Sequence, residues 1–225
     1  VIRFDRVTVA YDRTVALRDV SFEIRAGERI ALAGPSGSGK STILAVLLGF
    51  VAPTEGRVTV DGTDLSTMDI DGWRRRLAWV PQSPHLFAAS LADNIRLGAP
   101  GAARSDVESA VRAAALDPVV ADLEAGLDTV LGERGHGLSS GQRQRVALAR
   151  AFLRCGSTGP ATVLLLDEPT ARLDGGSEAL VLDATARLAH GRTALLVAHR
   201  PALLAVADRV LRLADGRLAE PVLTP

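Results

Sequence analysis

One glycine-rich segment has the residue types needed to hold a phosphate group. It reads Gly34-Pro35-Ser36-Gly37-Ser38-Gly39-Lys40-Ser41, which fits the pattern G-x-x-x-x-G-K-[ST] between an apolar strand pattern and a helical pattern. The glycines allow backbone N–H groups to converge on an anion, and the following helix adds its positive dipole end. Lys40 would reach the outer phosphates of a nucleotide, and the Ser41 hydroxyl would bind Mg²⁺. The plain alternative is a Gly/Ser-rich turn that precedes a helix.

The composition of the chain favours the phosphate interpretation. Of the 26 basic residues in 225, Lys40 is the only lysine, and all the others are arginine. A compact ammonium kept at this position indicates a loop that a planar guanidinium would not fit. The formal net charge is zero, which argues against a nucleic-acid-coating surface and leaves nucleic acid out of the predicted partners.

A second candidate site follows an apolar run at residues 163–166. The run ends in two acids, Asp167 and Glu168. Asp167, at the end of a buried strand, is placed to hold the hydration shell of Mg²⁺, and Glu168 could polarise an attacking water as a general base. Two solvated acids at a strand end are the structural alternative, but a phosphate loop upstream favours the catalytic interpretation.

The apolar pattern predicts the elements that must position these residues. Buried strands alternate with helices before residue 60 and after residue 161, which predicts an α/β core with a parallel sheet behind a β-rich N-terminal region. From about Asp71 to Arg154 helical periodicity dominates, with Ser105 and Glu108 as a predicted capping box and 73–76 as a solvated helix face. The predicted strands are 2–9, 20–24, 30–33, 57–60, 163–166 and 193–197, and the predicted flanking helices are 40–48 and 177–188.

Between the two sites lies Leu138-Ser139-Ser140-Gly141-Gln142, followed by a helical run to Ala151. This segment resembles the signature motif of ABC transporter ATPase domains, and the resemblance extends over essentially the whole chain. It implies an α/β P-loop NTPase (RecA-like) core with an N-terminal antiparallel β lobe and an inserted α-helical lobe. It also implies one ATPase domain over 1–225, in which 1–82 and 161–225 form the β lobe and core, 83–160 form the helical lobe, and the membrane domain lies outside this chain.

The resemblance also assigns ligands and roles. ATP and Mg²⁺ are the implied ligands, Tyr11 would stack on adenine, and Gln82 would sense Mg²⁺ and contact the membrane domain. His199 is similar to the switch histidine that contacts the γ-phosphate, and residues 171–174 resemble the D-loop. The implied catalytic residues are Glu168, His199, Lys40 and Gln82; the implied Mg²⁺ ligands are Ser41, Gln82 and Asp167; the implied ATP-binding residues are Tyr11, Gly34, Ser36, Gly37, Ser38, Gly39, Lys40, Ser41, Thr42, Ser139, Ser140, Gly141, Gln142 and Asp174.

The phosphate loop and the serine-rich start of the signature helix are both anion-binding devices. Two chains packed head to tail, each offering its Ser139 side to the other's Lys40 side, would enclose two ATP molecules between them. The sequence therefore predicts a second ABC ATPase domain as partner. It departs from the family pattern at Ser140, where glycine is usual, at Ala171-Arg172 and in the longer link 155–160, none of which removes a catalytic group.

Two further segments narrow the subtype. Residues 132–135 resemble the X-loop of ABC exporters, and 81–87 with 91–95 are also exporter-like. In exporters this domain is fused behind a membrane domain, which agrees with a first residue other than Met and predicts a place on the cytoplasmic face of a bacterial membrane. Residues 132–154 and 197–205 are similar to the CydD-type subunit of the CydDC exporter, which exports cysteine and glutathione and supports cytochrome bd assembly. A stand-alone importer ATPase and a soluble ABC ATPase that acts on DNA or ribosomes are the alternatives.

Overall fold

Ten strands and eight α-helices succeed one another in the residues that the computed structural model describes, 1–156, 159–171 and 173–219. These residues form two compact units, Val1–Leu77 with the residues from Gly191 onward, and Ala78–His190. The strands are β1 (Ile2–Tyr11), β2 (Thr14–Ile24), β3 (Arg29–Ala33), β4 (Glu55–Val60), β5 (Thr63–Asp64), β6 (Leu77–Val80), β7 (Val163–Asp167), β8 (Thr193–Val197), β9 (Arg209–Ala214) and β10 (Arg217–Leu218). The helices are α1 (Lys40–Leu47), α2 (Ile70–Arg75), α3 (Leu91–Arg96), α4 (Arg104–Ala113), α5 (Asp117–Asp122), α6 (Ser140–Arg154), α7 (Gly175–Ala189) and α8 (Pro201–Leu204).

The N-terminal sheet of the first unit is antiparallel, with strand order β2-β1-β4-β5. Alternate side chains of β1 point inward, and Phe4 stacks on Phe22 of β2 with ring centroids 4.5 Å apart. The alternation of apolar and polar residues produces this arrangement because successive side chains of a strand face opposite sides. The predicted antiparallel β region is confirmed.

A parallel sheet in the same unit carries the glycine-rich loop. β3 lies between β8 and β9 and runs parallel to both, with Leu32 opposite Val197 and Leu211. The side chains from Ile30 to Ala33 are buried, as a continuous apolar run in a covered parallel strand requires. The predicted α/β class, with an antiparallel and a parallel sheet, is therefore confirmed.

The start of the parallel sheet is fixed by one ion pair. The Arg29 side chain donates to both carboxylate oxygens of Asp208, at 3.1 Å from Nε and 2.6 Å from Nη2, and the Arg29 backbone N–H donates to the same carboxylate at 2.9 Å. These hydrogen bonds hold the pKa of Asp208 below its usual value. They also fix the register of β9 beside β3.

Three local predictions were wrong. β6 is a strand inside the stretch that was predicted to be mainly helical. The strand was missed because its four residues are too few to interrupt the helical periodicity around it. Helix α4 begins after Ala103, whose N–H is accepted by Asp106 at 3.3 Å, so Ser105 lies inside the first turn instead of capping it. Trp73 is 1% exposed, where a solvated helix face was expected.

The α2 side chains instead hold the far end of α1. Trp73 Nε1 donates to the carbonyl of Leu47 at 2.7 Å, and Arg74 donates to the carbonyls of Leu48 and Gly49 at 2.9 and 3.1 Å. The last carbonyls of a helix have no partner inside it, so these side chains satisfy them. No helix among the described residues has the length and apolar character needed to cross a membrane.

Candidate active site

The phosphate loop is shaped by close backbone contacts within the first unit. Gly34 follows β3 with φ +148°, and a Cβ at this position would lie 2.1 Å from the carbonyl oxygen of Leu213. Gly39 has φ +104°, and its Cβ would lie 2.6 Å from the carbonyl oxygen of Ala16. Both positions therefore require glycine. Gly37 has φ +78°, and none of the described residues has an atom within 4 Å of its Cβ position, so there is room above the loop for a ligand.

The Lys40 side chain spans this loop. Its Nζ donates to the carbonyls of Gly34 and Pro35 at 2.9 and 2.8 Å and lies 3.4 Å from Ser38 Oγ. Lys40 is only 5% exposed, and a buried cation needs polar groups around it. An anion over the loop would add the opposite charge, so the geometry fits a phosphate group.

The helix that follows the loop presents its positive end to the same space. Helix α1 begins after Gly39, and no side chain of the described residues caps it. A capping Ser or Asp would occupy the first N–H groups of the helix, whereas glycine leaves that end to an external anion. Ser36 and Ser41 are exposed, and Thr42 is half-buried.

Two more predicted residues lie in the first unit. Tyr11 ends β1, is 44% exposed, and pairs with Thr14 at the hairpin that leads to the Ala16 contact with Gly39. His199 is exposed and comes just after β8. Because β8 and β3 are parallel neighbours, His199 lies at the same edge of the sheet as the start of the phosphate loop. The first unit thus places His199 at the phosphate-loop edge of the parallel sheet, and its Tyr11 hairpin leads to Ala16, which lies against Gly39 of the loop.

The predicted acid pair lies in the second unit. β7 ends at Asp167, and Glu168 follows with φ +43°. A left-handed backbone costs a non-glycine residue about 1–2 kcal/mol, so the fold holds the predicted base in a strained conformation of the kind common at functional sites. Gln82 Nε2 donates to Glu168 Oε2 at 2.9 Å. The structure thus brings together two predicted catalytic residues that are far apart in the sequence.

The signature segment forms the start of α6. Ser139 Oγ accepts from the Gln142 N–H at 3.2 Å, and Gln142 Oε1 accepts from the Ser139 N–H at 2.7 Å. This reciprocal capping box fixes Ser139 and Ser140 at an exposed helix start. Gly141 is buried, and a Cβ there would lie 2.4 Å from Ser177 Cβ. The glycine therefore allows α6 to approach the start of α7.

Asp174 caps α7. Its carboxylate accepts from the Ser177 N–H at 2.9 Å, and hydrogen bonds from Ser177 hold the pKa of Asp174 below its usual value. Asp174 and Gly141 thus both meet Ser177, so the D-loop end and the signature helix lie side by side within this unit. Arg172 of the predicted D-loop, and residues 157 and 158 of the link, lie outside the described residues.

Two buried polar residues and one half-buried arginine in this unit were not singled out from the sequence. Asn94 and Gln144 are 1% and 2% exposed, and burial lowers the pKa of Arg150 to about 10. Gln144 and Arg150 belong to the helical run that the resemblance covers, but only their tertiary contacts show what they hold. The signal available in the sequence was that polar residues recur among the apolar residues of α6, which indicates buried polar side chains.

A glycine-rich loop that cradles a buried lysine, together with an acid pair at the end of a buried strand, defines a P-loop nucleotide-binding protein. A family model described as ABC transporter matches residues 17–171. The chain belongs to the ABC transporter family, and it is an ATP-binding ATPase domain of that family.

Named relatives agree with this assignment. The chain is 48% identical over 220 residues to the mycobactin import ATP-binding/permease protein IrtB of Mycolicibacterium smegmatis, covering 97% of this chain and 37% of that protein. It is 41% identical over 220 residues to an ATM1-type heavy metal exporter of Novosphingobium aromaticivorans, covering 97% and 35%. A solved bacterial Atm1-family ABC exporter with ATP bound matches with a TM-score of 0.88 and 42% identity, covering 97% of this chain and 38% of that one.

The chain spans little more than a third of the length of these relatives, as the 37% and 35% coverages show. One of these relatives is named as an import protein and another as an exporter. The match therefore shows the family and the ATPase domain.

Proposed function

We propose that this chain is the motor domain of an exporter-type ABC transporter, which binds two ATP molecules between two ATPase domains and couples their hydrolysis to transport. The observation that carries the proposal is the hydrogen bond between Gln82 and Glu168, in a chain that also has an intact phosphate loop. A domain that only bound nucleotide would have no need to hold a carboxylate ready to act on water.

The phosphate loop would bind and orient ATP. The backbone around Gly37, the Lys40 ammonium and the α1 start would hold the phosphates, and Tyr11 would meet the adenine ring. Glu168 would take a proton from the water that attacks the γ-phosphorus, while the bond from that phosphorus to the bridging oxygen breaks. His199 would donate a hydrogen bond to the γ-phosphate.

Mg²⁺ would be held by oxygen donors of different kinds. No group of three or more His, Cys, Asp or Glu residues that could hold a metal occurs in the described part of the chain. The donors proposed here, the Ser41 hydroxyl, the Gln82 amide oxygen and the Asp167 carboxylate, suit a hard cation that also keeps phosphate and water ligands. When bound, Mg²⁺ would neutralise charge on the phosphates.

The signature helix would complete the site of a second ATPase domain. Ser139 and Ser140 lie at an exposed helix start held by its own capping box, a geometry suited to an anion supplied from outside. Two copies, or this chain and a related domain, would then enclose two ATP molecules head to tail, with Asp174 near the shared surface. Release after hydrolysis would follow from the loss of the shared ligand.

The other partner would be a membrane domain at the cytoplasmic face of a bacterial membrane. The exporter and permease relatives support this, since the names of both describe membrane transport. Export of cysteine or glutathione by a CydD-type subunit stays a prediction from residues 132–154 and 197–205, because none of the relatives described above has that name. The stand-alone importer ATPase stays the alternative.

The test uses Glu168→Gln, which keeps the shape of the side chain but removes the base. We expect this variant to lose most ATP hydrolysis and to sediment as a dimer with ATP and Mg²⁺, but as a monomer without ATP. Glu124→Gln, at an exposed loop position, is the matched control and should hydrolyse ATP like the wild type. A Glu168→Gln protein that stays monomeric with saturating ATP would refute the proposed sandwich.

A further inference from the structure

A buried amide on the signature helix holds the peptide that precedes Gln82. Gln144 is 2% exposed, and its Nε2 donates to the carbonyl of Pro81 at 3.2 Å. A buried amide is costly unless it is hydrogen-bonded. Since the Pro81 carbonyl belongs to the same peptide plane as the Gln82 nitrogen, this bond restrains the backbone from which the Gln82 side chain projects.

Gln82 in turn holds the proposed base. Its Nε2 donates to Glu168 Oε2 at 2.9 Å, so two side-chain hydrogen bonds in series run from α6 to Glu168. The first is between Gln144 and Pro81, and the second is between Gln82 and Glu168. Helix α6, which Ser139 caps, is therefore connected to the proposed base of its own chain.

The same helix also holds the segment that follows Gln82. Arg150 donates to the carbonyls of His85 and Asn94 at 2.6 and 2.7 Å, and Arg154 donates to the carbonyl of Gly98 at 3.2 Å. Gly98 is close enough to α6 that a Cβ would lie 2.2 Å from the Arg150 carbonyl oxygen. Gln144, Arg150 and Arg154 of α6 thus donate hydrogen bonds to backbone carbonyls along the segment from Pro81 to Gly98.

The segment from Pro81 to Gly98 also has hydrogen bonds within itself. The amide group of Asn94 donates to the carbonyls of Phe87 and Ser90 at 3.0 Å each, and it accepts from the Phe87 N–H at 2.9 Å. Arg150 donates to the same Asn94 side-chain oxygen at 2.8 Å. A hydrogen-bonded network of this kind makes the segment rigid.

We infer that Gln144 is a positioning residue for ATP hydrolysis, which acts by holding the Pro81–Gln82 peptide so that Gln82 orients Glu168. The inference rests on the proposed function, because it gives Glu168 the role of base. A displacement of the signature helix by a nucleotide in the partner's site would then reach the base in this chain's own site through two hydrogen bonds.

The experiment compares Gln144→Met with the wild type. Methionine fills a similar volume without an N–H donor, so we expect kcat for ATP hydrolysis to fall about tenfold with an unchanged KM for ATP. Without nucleotide, backbone hydrogen exchange of residues 82–87 should be faster than in the wild type. In a Gln82→Met background, Gln144→Met should cause no further loss of kcat, because the residue through which it acts is already gone.

Thr185→Val is the matched control. Thr185 is fully buried on α7, and its Oγ1 has no hydrogen-bond partner among the described residues, so this variant should leave kcat and the exchange of 82–87 unchanged. Gln144→Leu serves if the methionine variant does not fold. Unchanged exchange of 82–87, or an equal loss of kcat in the two backgrounds, would overturn the inference. Absence of ATPase activity in the wild type would instead refute the proposed function, while the exchange result would still test the Gln144 contact.

Discussion

The phosphate loop and the region around Glu168 are held in place by different parts of the chain, the backbone in the loop and side chains around Glu168. In the phosphate loop the backbone does the positioning, since the Gly34 and Gly39 approaches and two backbone carbonyls place Lys40. Around Glu168 the positioning is done by side chains, through hydrogen bonds of the Gln82 and Gln144 amides. A backbone-built site is rigid because few torsions can change. A side-chain-built site can shift when one of its members moves.

The difference suits the two tasks proposed for them. In the proposed function the loop would bind phosphate whether or not a second domain is present, so it gains from a fixed shape. The base should act only when the signature helix of the same chain is in place, so a connection through side chains of α6 gives it a means of control. Substitutions in the phosphate loop and around Glu168 test the two constructions separately.

The largest effect is expected from Lys40→Arg. The formal charge is kept, but a planar guanidinium cannot make the two carbonyl contacts of the ammonium in the same space. We expect kcat for ATP hydrolysis to fall about 10³-fold, and the melting temperature to fall as well, because the two carbonyls lose their donor. The control is Arg13→Lys, the reverse exchange at an exposed position. Near-normal hydrolysis by Lys40→Arg would show that the loop does not select a compact cation.

Gly34→Ala tests the backbone construction itself. The new Cβ would lie 2.1 Å from the Leu213 carbonyl oxygen, so β9 or the loop must move, and we expect a loss of about 3 kcal/mol in the free energy of unfolding. Gly27→Ala also places alanine at positive φ, but its Cβ meets no atom within 4 Å in the part of the chain that the structure describes, so it should cost only about 1 kcal/mol. Urea unfolding measures both, and equal losses would mean that the close approach contributes nothing.

The smallest effect is expected from Arg150→Met on the side-chain construction. The variant leaves the carbonyls of His85 and Asn94 without their donor and should lower the free energy of unfolding by about 2 kcal/mol. Arg150→Lys keeps a donor and should recover part of that loss, since an ammonium reaches fewer of the acceptors. Urea unfolding of both variants decides the matter. Wild-type stability in Arg150→Met would contradict the view that side chains hold this region.

The same division explains what could be predicted from the sequence. The phosphate loop is a run of consecutive residues whose chemistry is local, so its spacing alone located Lys40. Ser139, at the capped start of α6, was located through the resemblance of residues 138–142 to the signature motif. The strands β3, β7 and β8 were found from their apolar runs. β6 was not, because it lies in a region of helical periodicity, and β9 was not, because its Arg209 and Arg212 interrupt the apolar pattern.

The contacts of the Glu168 region could not be read in this way. Gln82 and Glu168 are 86 residues apart, and Gln144 and Pro81 are 63 apart. The pairing of β6 with β7 brings Gln82 to Glu168, and the fold places Gln144 of α6 beside Pro81. The strain at Glu168 is likewise a property of the folded chain, since nothing in its residue type favours positive φ.

The place of β3 between β8 and β9 has a consequence for the order in which the domain can be assembled. The strand that carries the phosphate loop is synthesised before both of its neighbours in the sheet, which follow more than 150 residues later. Until Leu213 has been added, Gly34 lacks the contact that shapes the loop. An incomplete chain therefore exposes both edges of an apolar strand, which favours aggregation. The nucleotide site is thus among the last parts of the first unit to form.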